Sequence, residues 1–135
     1  MFFDKSKNKN DDLIKIASLL IHAAKIDENY TIDEEDIIKR ALIEIGAKEE
    51  SLEKLLHEAK INETNSVQIL DFTKEVKNMD DNNKIKIVET LWRIIYSNSE
   101  ADIFETNLMR RLAGLMYIDS SLMGSIKEKI KKENR

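Results

Sequence analysis

Apolar residues recur along this chain at intervals of three and four, and in no stretch do they alternate with polar ones long enough to write a strand. That periodicity predicts an all-α fold of about seven helices in a compact bundle. The first ten residues, with Lys5, Lys7 and Lys9 among them, read as a flexible polar tail, and 11–135 as one helical domain. The first helix is predicted from about Asp11 to Ile26, with Leu13, Ile16, Ala17, Leu20 and Ala24 on one stripe. The second runs from about Glu34 to Ile45 and stops at Gly46, a residue free to take the left-handed conformation that ends helices. A third, about Glu49 to Asn62, carries Leu52, Leu55, Leu56 and Ala59; a fourth, about Ser66 to Met79, carries Ile69, Phe72, Val76 and Met79. Each of these four stripes is one-sided, so each helix is expected to turn its other face to water. The fifth, about Asn82 to Ser97, differs: Ile85, Ile87, Val88, Leu91, Trp92, Ile94 and Ile95 cover more than half its circumference, which makes it the expected central helix. The sixth spans about Ile103 to Tyr117. The seventh follows Asp119 and ends in a charged segment.

Composition narrows the chemistry. Of 135 residues 41% are hydrophobic, enough for a core in one domain, and there is no cysteine, which removes thiol nucleophiles, disulfides and iron–sulfur ligation. Three glycines, at 46, 114 and 124, cannot build a phosphate loop or a dinucleotide fingerprint. A formal net charge of −4 opposes any general affinity for nucleic acid or anionic membrane. No apolar run approaches the about 20 residues of a membrane span, so no membrane insertion is expected. The opening Met1-Phe2-Phe3-Asp4-Lys5 lacks the pattern of a secretory leader, and a cytoplasmic location is the expectation.

An internal repeat organises the pattern further. Residues 13–46 laid on 84–117, an offset of 71 without a gap, align Ile14, Lys15, Ile16, Leu20, Ile32, Glu34 and Arg40 with identical residues, and Asp27 with Asn98. Two copies of a helical hairpin are therefore predicted, bridged by the third and fourth helices. Both turns carry a capping box, Thr31-Ile-Asp-Glu34 and Asp102-Ile-Phe-Glu105, in which the cap oxygen takes the third amide and the glutamate reaches back. Capping is the plainest account of Glu34 and Glu105, each cap contributing on the order of 1 kcal/mol.

A second account rests on density. Asp27, Glu28, Asp33, Glu34, Glu35 and Asp36 bring six carboxylates into ten residues, and the second turn answers with Asn98, Glu100, Asp102 and Glu105. Like charges so close repel, and hard divalent cations bind oxygens gathered in this way. An EF-hand is excluded, because Ile32 stands where glycine is required and Ile38 where the bidentate glutamate belongs. The candidate cations are calcium, magnesium, manganese and zinc.

At these turns the sequence resembles the tellurite-resistance TerB-like family, whose members repeat small-x-x-Asp-Gly-x-aliphatic-x-x-x-Glu between helices. The first copy reads Ala24 to Asp27 and on to Glu34, with Glu28 in the place of glycine. The second, from Leu91-Trp92 through Tyr96-Ser97-Asn98-Ser99 to Glu105 and the pair Arg110-Arg111, is the closer match, with Asn98-Ser99 replacing Asp-Gly. The resemblance spans about residues 12–126. It implies an all-helical bundle, related to the TerB-like N-terminal domain of a membrane-anchored DnaJ-like co-chaperone, with the turn acids as a metal-binding or partner-binding surface; the candidate metal residues carried over from the family pattern are Asp27, Glu34 and Glu105 directly and Asn98 by analogy.

Other chemistry finds less footing. His22 and His57 have neither cysteine nor an HExxH pattern to join them to a metal, and read as packed or surface residues. No Gly-x-Ser-x-Gly elbow supports a hydrolase triad. Trp92 and Tyr96, one helical turn apart, read as core packing. Arg111 reads as structural. The expected function is thus non-enzymatic: a cytoplasmic TerB-like module, as monomer or homodimer, that binds a divalent cation or a partner protein through its acidic turns. The alternatives are a metal-dependent hydrolase using Asp27, Glu34 and Glu105, or a structural oligomerisation module with an exposed apolar stripe on its third, fourth or seventh helix.

Overall fold

The computed structural model describes residues 5–25, 31–65, 70–97 and 103–133. Among them are seven α-helices and no strand: α1 (Lys5–Ala24), α2 (Ile32–Ile45), α3 (Leu52–Asn65, preceded by a 3-10 turn at Glu49–Ser51), α4 (Leu70–Lys77), α5 (Asp81–Tyr96), α6 (Ile103–Leu115) and α7 (Ser120–Glu133). The all-α expectation is met, with boundaries shifted. Helix α1 begins at Lys5, so Lys5–Asn10, expected as part of a polar tail, has helical backbone.

One side of the expectation about centrality needs correcting. In α1, every residue from Ile16 to Ala24 except His22 is buried, although only one stripe was expected to be. Small and polar-light side chains explain it: Ala17, Ser18, Ala23 and Ala24 let α2, α3, α4 and α5 all approach the same helix. Ser18 is satisfied within this packing, its hydroxyl meeting the Ile14 carbonyl at 2.7 Å and the Ala59 carbonyl at 3.2 Å. Helix α5 is buried as expected, with Ile87, Val88, Leu91, Ile94 and Ile95 fully covered, and it packs on α1, α2, α4 and α7. The bundle therefore has two central helices, one from each copy of the repeat.

The repeat extends to single hydrogen bonds. Helices α2 and α6 begin at Ile32 and Ile103, 71 residues apart as the alignment requires. They also end alike. In α2 the Ala47 amide donates to the Leu42 carbonyl at 2.9 Å around Gly46, and in α6 the Ile118 amide donates to the Ala113 carbonyl at 2.9 Å around Tyr117. Gly46 (φ 125°) and Tyr117 (φ 56°) are the residues that take positive φ at these two helix ends.

Candidate functional site

Helix α2 opens with Thr31 as its cap. The Glu34 amide donates to Thr31 Oγ1 at 3.1 Å, and the Thr31 amide donates to Glu34 Oε1 at 2.8 Å, so the capping box read from the sequence is complete. The Thr31 hydroxyl also reaches Glu34 Oε1, at 3.1 Å. Glu34 is 2% exposed and Glu105, its counterpart at the start of α6, 6% exposed. A carboxylate taken this far from water needs partners to remain charged. Asp27 and Asn98, the other two candidate metal residues, lie outside the described residues, as do Glu28, Glu100 and Asp102. Among the described residues no three His, Cys, Asp or Glu side chains are grouped as a metal would require.

The remaining acids of the first turn divide. Asp33 and Asp36 are exposed. Glu35 is held by Lys60 of α3 at 2.8 Å and by Lys39 at 3.9 Å, and Lys39 turns also to Glu53 at 3.0 Å. The hydrogen bond that Lys39 donates to Glu53, ahead of the fields of Glu53 and Glu35, raises its ammonium above the ordinary pKa. Part of the repulsion inferred from the sequence is therefore offset by lysines from the same helix and from α3.

Near the same end of α1 stands a carboxylate that the sequence reading missed. Glu63 of α3 is 8% exposed, its Oε1 2.7 Å from Lys25 Nζ and its Oε2 4.0 Å from His22 Nδ1. A signal existed: Leu52, Leu56, Ala59 and Glu63 follow at spacings of four, three and four, so an acid completes an apolar stripe. Half-buried His22 is pushed below its usual pKa first by burial, against the raising field of Glu63 and with the lowering fields of Lys25 and Arg111. His22 is thus a packed residue beside a carboxylate, in keeping with the sequence reading, while His57, Arg110 and Arg111 are exposed.

On the second copy, Trp92 and Tyr96 stack with ring centroids 5.9 Å apart, both buried, as core packing requires. Burial first, then the fields of Glu128 and Glu105, raise the Tyr96 phenol above its ordinary range. The phenol and the Glu105 carboxylate thus belong to one electrostatic neighbourhood.

The described residues place Glu34 and Glu105 at the third position of α2 and α6, 71 residues apart, as the repeated turn motif of the resemblance requires. A family model described as tellurite resistance protein TerB matches residues 13–128. The chain belongs to the TerB family. The match covers both hairpins and the α3–α4 bridge, and it carries no statement about a DnaJ-like co-chaperone. No curated protein and no solved structure matches the chain. Among the described residues of this TerB-family chain, no helix is long and apolar enough to cross a membrane.

Proposed function

We propose that this TerB-family chain is a non-enzymatic cytoplasmic module that binds a divalent cation at its acidic turns, with Asp27, Glu34, Asn98 and Glu105 as the oxygen donors. The observation that carries this reading is the burial of Glu34 and Glu105 at equivalent places in two repeated turns. Capping is served as well by an exposed side chain as by a buried one, and hard divalent cations bind where carboxylate oxygens gather in this way. The donor set is all oxygen, which suits calcium, magnesium or manganese better than zinc. A link to tellurite resistance, which the family's description suggests, belongs to the same proposal.

The test uses the chemistry of the capping box. Glutamine serves the box as glutamate does, so Glu34→Gln keeps the cap and removes the charge, whereas Glu34→Ala removes both. Thermal unfolding is followed with and without millimolar calcium, magnesium, manganese or zinc. A cation at 100 times its dissociation constant stabilises the native state by about 2.7 kcal/mol, a rise of several degrees in a domain of this size. We expect one cation to raise the midpoint of the wild type and to lose that effect in Asp27→Ala and Glu34→Gln. Equal midpoints with every cation overturn the reading and leave the exposed Asp33 and Asp36 as contacts for a basic partner protein.

A further inference from the structure

Helix α7 is joined to the bundle along one seam. Its buried residues are Met123, Ile126 and Ile130, and it packs chiefly on α5. The polar ties across the seam lie on its outer edge. Lys129 Nζ meets Glu89 at 2.6 Å, and Arg93 gives two hydrogen bonds to Glu133, at 3.0 and 3.1 Å. Lys129 and Glu133 are 62% and 45% exposed, so water and salt compete for both pairs.

Beneath these ties the seam is imperfect. Lys127 Nζ sits 5.5 Å from the centroid of the Trp92 ring, while the buried Trp92 indole N–H has no acceptor among the described residues. An unmet donor in the dry part of an interface is a cost borne only while the interface is closed. Toward the start of α7 the packing gapes into a cavity of about 280 Å³ lined by Ile85 and Val88 of α5, Tyr117 and Ile118 of the turn, and Leu122 and Ile126 of α7.

The turn itself is strained. Tyr117 has φ 56°, and among the described residues no other non-glycine has positive φ. The aligned position in the first copy is Gly46, where the same backbone costs little. A bulky side chain held in the left-handed region relaxes when the turn unwinds. Few buried side chains, exposed ion pairs, an orphaned donor, a gap and a strained hinge all fall on one boundary.

We infer that α7 is a hinged strap, which lifts from α5 as one unit about Tyr117 and Ile118 and uncovers Trp92 while the rest of the bundle stays folded. Lifting bares an apolar row on α5 together with an unpaired indole N–H, and rising salt favours it by weakening the two ion pairs. Segments held in this way open below the global unfolding free energy.

Trp92 is the chain's one tryptophan and there is no cysteine, so both readouts assign themselves. Hydrogen exchange of the full chain is followed by mass spectrometry in low salt and in 0.5 M sodium chloride, alongside acrylamide quenching of Trp92 fluorescence. We expect amides from Met123 to Ile130 to exchange together, at least tenfold faster than those of Ile16 to Ile21. Salt should speed them several-fold and increase quenching, with α1 unchanged. A Glu89→Cys/Lys129→Cys chain bridged by a short bismaleimide should bring α7 to the protection of α5. Protection of α7 equal to that of α1, exchange graded inward from the C-terminal end, or no effect of the bridge overturns the strap.

Discussion

Glu63 stands where the periodicity of α3 asks for an apolar side chain, and its acceptance there depends on Lys25, just past the end of α1, with His22 beside it. The arrangement has a consequence for pH. Burial lowers the His22 pKa in the folded chain below the ordinary 6.5, so the unfolded chain binds more protons in the window just below that value. Stability contributed by neutral His22 is complete above pH 6.5 and is lost as pH falls toward the folded pKa. Melting curves between pH 7.5 and 5 should therefore fall for the wild type, and the fall should be smaller in His22→Gln; parallel curves for the two chains would contradict this account. The same residue shows why a histidine cannot be placed from sequence alone: its neighbours Glu63 and Arg111 come from positions 41 and 89 residues further on.

The capped start of α2 was legible and helix surroundings were not. The box at Thr31 and Glu34 is written in four consecutive residues, and the backbone follows it. Ends are equally local. Gly46 takes φ 125°, where a β-carbon is strained, and both Gly46 and Ala47 amides return to the Leu42 carbonyl. Gly46→Ala should lower stability by about 1 kcal/mol, measured by denaturant unfolding, because side chains pay roughly that to enter the left-handed region. An unchanged midpoint would mean that the end of α2 can rewind without cost. Tyr117 repeats the geometry without glycine, a departure visible in the aligned sequences but given meaning only by its torsion angle.

At the scale of the whole molecule, the repeat places two helices rather than one at the centre. Ala23, off the expected stripe, is buried although that side of α1 was expected to face water. Ala23→Leu should destabilise by roughly 1–3 kcal/mol, since an overpacked site forces its neighbours apart. A surface alanine would tolerate the change, so calorimetry of this variant separates the two descriptions of α1. The family match over residues 13–128 includes both central helices, in keeping with a fold whose halves cannot bury their apolar faces alone.

The sequence by itself determined what depends on near neighbours: seven helices, the capping box of α2, the repeat at 71 residues, and the TerB relationship that those short motifs carry in order. It also located Glu34 and Glu105, because a capping box is read within one turn. Only the tertiary structure decided that both glutamates are buried, that Glu63 joins Lys25 and His22, that α1 shares the centre with α5, and that the buried Trp92 indole finds no acceptor among the described residues. Periodicity reports which face of a helix is apolar, whereas burial depends on how many partners reach that helix, and the small residues of α1 allow four of them to do so.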